Sequence, residues 1–116
     1  GDLNADPMDG DSADGAISQL LEHPQVRPDV ADGARTPRSV GGEHRTAKPG
    51  LKGDHARHTA QWGLRVDFVL PSRGLTVLDT GVFWPEQKSP MGNTVNGSKD
   101  DKAPTDHRLV WVDLGL

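Results

Sequence analysis

The sequence predicts an α/β (α+β) chain with mostly antiparallel strands, one short helix and long loops. Apolar and polar side chains alternate over residues 64–70, which is typical of a strand. Apolar segments at 75–82 and 108–114 predict two more strands, and we expect the first of these to pair antiparallel with 64–70. Residues 16–22 carry apolar side chains at i, i+3 and i+4, which predicts an amphipathic helix that Pro24 ends.

The composition points to a single domain with a thin core. The chain has 116 residues, 33% of them hydrophobic, with no cysteine and a formal net charge of −4. No apolar run approaches the ~20 residues that a membrane-spanning helix needs, and residues 1–20 lack the pattern of a signal peptide. The negative charge argues against a general nucleic-acid binder, but a bound metal can supply the positive charge of a phosphate site.

Two stretches, 24–60 and 85–106, contain few large apolar residues. We expect both to be long loops, because they cannot offset their ordering entropy by burial. Three strands and one helix do not make a self-sufficient core. The sequence therefore predicts that residues 1–116 are part of a larger α/β protein.

Three short segments carry acidic and imidazole groups where a core would prefer apolar side chains. Asp2 and Asn4 leave a strand end two residues apart, so we expect their side chains to point to the same side. Asp67 lies within a predicted strand, opposite its apolar neighbours, where a buried carboxylate needs a partner. His107 follows Asp106 at the entrance of the last strand, a position suited to proton transfer near neutral pH.

The three segments occur in a fixed order: Gly-Asp-Leu-Asn at 1–4, Arg-Val-Asp-Phe-Val-Leu-Pro-Ser at 65–72 and Thr-Asp-His-Arg-Leu-Val at 105–110. Together they resemble the closing motifs of the endonuclease/exonuclease/phosphatase family, metal-dependent phosphoesterases with a deoxyribonuclease-like fold. The resemblance implies that residues 1–116 are the C-terminal portion of a two-sheet, four-layer α/β sandwich. The segment 79–85 looks like a bacterial, often exported branch, which implies secretion.

The resemblance also implies a role for each of five residues. His107 matches the histidine that contacts the scissile phosphate and acts as general acid or base, and Asp67 matches its carboxylate partner. Asp2 matches the aspartate that orients or deprotonates the attacking water, and we expect it to bind metal as well. Asn4 matches the asparagine that holds the water or a phosphate oxygen. Asp106 matches either a metal ligand or a residue that contacts a metal ligand.

The implied reaction is hydrolysis of a phosphodiester or phosphomonoester, with nucleic acid among the candidate substrates. The implied cofactor is a divalent cation, Mg²⁺ or Ca²⁺, with Mn²⁺ as a further option. In the family, the glutamate that anchors the metal and a second sheet lie in an N-terminal portion. The resemblance implies that portion as a partner, without which this chain is incomplete and inactive.

A non-catalytic calcium-binding or interaction module is the alternative interpretation. Asp2, Asn4 and Asp6 stand at alternate positions, as oxygen ligands do in a calcium-binding loop. However, Pro7 stands where such a loop needs glycine, and Ala13 stands at its closing acidic position.

Three further residues are candidates for substrate binding. Arg57 and His58 lie in the predicted loop 24–60, where they either rim the substrate cleft or are ordinary solvated side chains. Trp84 precedes Pro85 at the end of a predicted strand. It either stacks on a substrate base or packs at the rim of the sheet.

Overall fold

A two-stranded antiparallel sheet is the regular sheet of this α+β chain. The computed structural model describes residues 1–45 and 48–116. Strand β1 is Thr76–Phe83 and strand β2 is Leu109–Gly115, and the two pair antiparallel along their length. Both strands confirm the sequence prediction, because runs of β-branched and aromatic residues suit a pleated, half-buried surface.

Short helices connect the rest of the described chain. They are α1 (Ser18–Leu21), α2 (Pro28–Asp32), α3 (Val40–His44), a 3₁₀ turn (His55–Arg57) and α4 (Gly92–Asn96). Helix α1 confirms the predicted amphipathic helix, although it is shorter than residues 16–22. Ile17 and Leu21 are buried on its inner side and pack in one cluster with Phe68.

In their described residues, 24–45, 48–60 and 85–106, the two predicted loops are largely irregular, but the expectation that they contribute little to the core was wrong. The first stretch contains α2, α3 and the 3₁₀ turn, and the second contains α4. Four small apolar residues of the first stretch are at most 1% exposed: Val30, Ala31, Ala56 and Ala60. Small side chains let backbone segments pack closely, so this stretch is part of the core although it has few large apolar residues.

The strand predicted at 64–70 is not part of a sheet, and β1 pairs with β2 instead of with this segment. Asp67 makes only an isolated antiparallel bridge, to Asp2. The hydroxyl of Thr59 accepts hydrogen bonds of 3.0 Å from the N–H groups of both Val66 and Asp67. A side chain thus occupies the place that a neighbouring strand would take.

One face of the β1–β2 sheet is apolar and uncovered. Phe83 lies directly opposite Leu109, and Gly81 lies opposite Trp111. Directly opposite residues share a face of an antiparallel pair, and Phe83, Leu109 and Trp111 are all exposed. Val82, which points to the other side, is buried. Of the helices in residues 1–45 and 48–116, none has the length and apolar character to cross a bilayer.

Candidate active site

Two aspartates are brought together by a short backbone pairing near the start of the chain. Segments 1–3 and 66–68 exchange hydrogen bonds of 2.8 and 3.1 Å, and these flank the pair of Asp2 and Asp67. Residues in such a pair lie opposite each other with their side chains on the same side of the ladder. The carboxylates of Asp2 and Asp67 therefore converge, although 65 residues separate them in the sequence.

A second backbone pairing places the histidine beside them. Segment 59–61 pairs with segment 106–108 through hydrogen bonds of 2.8 and 2.7 Å, with Ala60 opposite His107. Thr59 belongs to this pairing and also binds the backbone of residues 66–67 through its hydroxyl. The two pairings are thus tied to each other by one side chain.

His107, Asp67 and Asp2 form a compact cluster. The Nδ1 of His107 lies 2.8 Å from Oδ2 of Asp67, so that the imidazole N–H donates to the carboxylate. One ligand atom from each of the three residues lies within 4.8 Å of the others. Trp62 packs edge-on against the imidazole, with 5.1 Å between the ring centroids. The hydrogen bond expected between Asp67 and His107 is present, and it fixes both the tautomer and the orientation of the ring.

The electrostatic environment favours the charged form of the histidine. The hydrogen bond to Asp67 raises the pKa of His107 above its ordinary value, and the negative charges of Asp67, Asp2 and Asp106 add to this effect. An imidazolium held in this way can donate a hydrogen bond or a proton to a phosphate oxygen.

Thr59 is a positioning residue that the sequence reasoning missed. It is 1% exposed, and its hydroxyl orders the segment that carries Asp67. Its carbonyl accepts the N–H of Arg108, the residue after His107. Nothing in the sequence marks this residue, because a threonine in a predicted loop is ordinary.

Asn4 is placed by a local turn rather than by strand alternation. Its φ of 50° is in the left-handed region, which asparagine tolerates better than most residues. Its N–H donates to Oδ1 of Asp2 at 2.8 Å. A local turn at Asn4 thus replaces the regular strand from which its position was predicted, and the expectation that its side chain faces the same cleft as Asp2 stays a prediction.

Asp106 lies next to the cluster but is not one of its three members. Its side chain is exposed, and its carbonyl accepts the N–H of Gln61. Among the described residues, the group whose ligand atoms converge is limited to Asp2, Asp67 and His107. Asp106 acts on the cluster through its charge, as the raised pKa of His107 records.

The structure places Arg57 and His58 away from the cluster. Arg57 is engaged by Asp32, with 2.6 Å between Nη1 and Oδ1. His58 is 2% exposed, so its interpretation as a solvated loop side chain is wrong. Both residues line a separate pocket of about 290 Å³ that Asp2, Asp67 and His107 do not border. The ring of His55 packs 5.3 Å from that of His58, and the backbone approaches His58 closely at Gly53 and Gly63, which the scarcity of large apolar residues in this stretch did not suggest.

Trp84 is buried, being only 7% exposed. The guanidinium carbons of Arg45 and Arg108 lie over its ring, at 4.7 and 4.9 Å from the centroid. It lines a cleft on the side of Arg108, the residue next to His107. Its packing at the end of β1 agrees with the rim interpretation.

The start of the chain does not have the arrangement of a calcium-binding loop. One carboxylate oxygen of Asp6 accepts the N–H groups of Met8 and Asp9, and the other accepts the N–H of Arg65. Asp6 is 8% exposed, so its oxygens hold the backbone instead of facing a common ion with Asp2.

The donor set of the cluster fits a divalent cation. Mg²⁺ and Ca²⁺ prefer oxygen ligands, and two carboxylates converge here. Asp2 is the exposed member, whereas Asp67 is occupied by the imidazole. Asp2 is therefore the side chain of the cluster that is best placed to reach an ion.

The comparison with known families agrees with this geometry. The model of the endonuclease/exonuclease/phosphatase family matches residues 1–107, a span that includes all three members of the cluster. This chain belongs to that family, whose members are generally hydrolases of phosphate esters and are typically dependent on divalent metals. No curated protein and no solved structure matches the chain.

Proposed function

We propose that this chain supplies the part of an active site that contains the catalytic histidine, and that this site hydrolyses phosphate esters with a divalent metal. The observation that carries the proposal is the convergence of His107, Asp67 and Asp2 from three distant parts of the chain. An oriented imidazolium beside an exposed carboxylate is what an in-line attack of water on phosphorus requires.

Each residue of the cluster has a different role in the proposed reaction. Asp2 orients the attacking water and accepts its proton as the new bond to phosphorus forms. His107 donates to a phosphate oxygen or to the departing oxygen as the ester bond breaks, and Asp67 keeps its imidazole charged and aligned. Asn4 is proposed to hold the water or a phosphate oxygen from its turn beside Asp2.

Asp2 and Asp106 are the proposed metal ligands of this chain. They would hold Mg²⁺ or Ca²⁺, or alternatively Mn²⁺, and the bound cation would supply positive charge to offset the negative charge that grows on the phosphate. We further propose that an N-terminal portion of the same protein supplies the family's metal-anchoring glutamate and the second sheet of a four-layer sandwich. The uncovered apolar face of Phe83, Leu109 and Trp111 supports this partner.

Hydrolysis of bis(p-nitrophenyl) phosphate tests the proposal. The chain is mixed with the N-terminal portion of its parent protein and Mg²⁺, and release of p-nitrophenol is measured. We expect His107→Gln to lower the rate by about 10²- to 10⁴-fold, the usual worth of a general acid or base. Asp67→Asn should lower it by about 10- to 100-fold, because it disturbs the orientation of the imidazole.

The matched control is His23→Gln, which replaces an exposed histidine outside the cluster and should leave the rate unchanged. A rate in His107→Gln equal to that of the unsubstituted chain would overturn the proposal. So would Ca²⁺ binding by the chain alone that is centred on residues 2–13 and unaffected by Asp67→Asn. That result would favour the non-catalytic calcium module.

We also propose secretion, on the sole support of the bacterial, often exported branch that the segment 79–85 resembles. Immunoblots of culture medium and cell lysate from the source cells test this location. Retention of the protein in the lysate would contradict it.

A further inference from the structure

A cleft of about 600 Å³ lies beside the candidate active site. Its wall includes Arg108, which directly follows His107, and Gln61, which precedes the tryptophan that packs on the imidazole. Gln61 and Asn96 also line a neighbouring hollow bordered by Asp106. The cleft therefore continues along the surface toward the residue next to the catalytic histidine.

Two arginines converge on the tryptophan at the back of this cleft. The guanidinium groups of Arg45 and Arg108 both lie within 5 Å of the Trp84 ring centroid. Neither guanidinium has a carboxylate within salt-bridge distance among the described residues.

The partners of both guanidinium groups are neutral oxygens. Arg45 donates to backbone carbonyls, including that of Gln61. Arg108 donates to the carbonyls of Thr105 and His107 at 2.9 Å and to the side-chain oxygen of Asn96 at 3.3 Å. The Nε of Arg108 is buried without a hydrogen-bond partner.

A buried and a half-buried cation without a paired anion are an unfavourable arrangement. Burial lowers the pKa of both arginines, and the charge of Arg45 lowers that of Arg108 further, although the nearby charge of Asp106 acts in the opposite direction. Lys88 adds a third positive charge at the exposed edge of the cleft. The one carboxylate of the lining, Glu86, is taken by His44, with 2.6 Å between its Oε1 and the imidazole Nδ1. The local charge is thus positive in a chain whose net charge is −4.

We infer that this cleft binds a phosphate group, and that it receives a second phosphate of the substrate beside the one hydrolysed at His107. A phosphate suits the site because guanidinium groups match its oxygens and an ammonium group adds a point charge. Arg45 and Lys88 meet the anion, while the more deeply buried Arg108 stabilises it through its charge. The role of the cleft in holding a second substrate phosphate rests on the proposed function, whereas the binding of phosphate itself does not.

The test measures phosphate binding by the fluorescence of Trp84. In a Trp62→Phe, Trp111→Phe background, Trp84 is the remaining tryptophan. The full chain is titrated in EDTA with inorganic phosphate, and then with phenyl phosphate, at constant ionic strength set with chloride. We expect saturable changes with both, and phenyl phosphate should bind at least as tightly because a substrate phosphate carries an ester group.

Variants locate the binding. Arg45→Met should weaken it by about tenfold, the worth of a hydrogen bond to a charged group. Lys88→Met, at an exposed position where no fold defect is expected, should weaken it two- to threefold. Arg73→Met, an exposed arginine outside the cleft, is the matched control and should leave it unchanged. Circular dichroism checks that each variant is folded.

His107→Gln separates this inference from the proposed function, since it should lower the rate of hydrolysis by about 10²- to 10⁴-fold and leave phosphate binding intact. The inference would be overturned if the fluorescence showed no saturable change with phosphate. It would also be overturned if Arg45→Met and Lys88→Met bound phosphate as tightly as the unsubstituted chain does. Binding of inorganic phosphate with exclusion of phenyl phosphate would overturn the assignment to a substrate phosphate.

Discussion

The pKa values of two histidines, His107 and His58, are shifted in opposite directions by their surroundings. The hydrogen bond to Asp67 raises the pKa of His107, whereas burial lowers that of His58. The stabilisation from His107 is fully present below the pKa of about 6.5 that the unfolded chain has, and it is lost as the pH rises through the raised folded value. The contribution of His58 is present above that pKa and is lost as the pH falls through the lowered folded value.

We expect the free energy of unfolding to decline on both sides of about pH 6.5. His58 acts on the acidic side, and His107 acts on the alkaline side together with the exposed His44, whose pKa Glu86 raises. Urea unfolding at a series of pH values measures this. His58→Gln should flatten the acidic side alone, since an uncharged amide replaces the buried imidazole. His107→Gln should flatten the side above about pH 6.5 alone. An exchange of these two effects would contradict the assigned environments.

At the scale of the elements, the sequence predicted those that are held by regular backbone hydrogen bonds. Strands β1 and β2 and helix α1 follow from apolar periodicity. Segment 64–70 has the same alternation, yet the hydroxyl of Thr59 accepts the N–H groups of Val66 and Asp67, and periodicity carries no information about such a side chain. The cluster of Asp2, Asp67 and His107 was predictable because motif order pointed to it. The arginine pair on Trp84 was not, because Arg45 lies far from Arg108 in the sequence and in none of the three motifs.

Helix α3 is held to the end of β1 through a glycine. The N–H of Gly41 donates to the carbonyl of Trp84 at 3.0 Å, and a Cβ at position 41 would lie 2.2 Å from that oxygen. Backbone cannot yield as a flexible side chain does, so we expect Gly41→Ala to lower the free energy of unfolding by about 2 kcal/mol or more. Urea denaturation measures the loss. Gly74→Ala, where the new methyl group meets nothing within 4 Å, is the control and should cost little.

At the scale of the whole molecule, the uncovered apolar face of the sheet leaves large apolar side chains in contact with solvent. Leu109 is 67% exposed, Phe83 43% and Trp111 36%. Contiguous apolar surface of this kind marks an interface. Asp79 and Asp113 lie directly opposite each other next to it, an unfavourable pairing of like charges that a cationic side chain of a partner would relieve. The sheet therefore has the character of one half of a packed interface.

This surface predicts how the chain behaves by itself. The chain should bind the dye 8-anilinonaphthalene-1-sulfonate and self-associate in sedimentation velocity, because both processes cover apolar surface. Leu109→Lys should reduce both effects strongly, since it places a charge at the most exposed apolar side chain of the face. Met91→Lys, at a residue that is 46% exposed and lies outside the sheet, should change neither. A retained near-ultraviolet circular dichroism spectrum separates a bare native face from a loosened core. A native spectrum without dye binding or self-association would show that the face needs no partner.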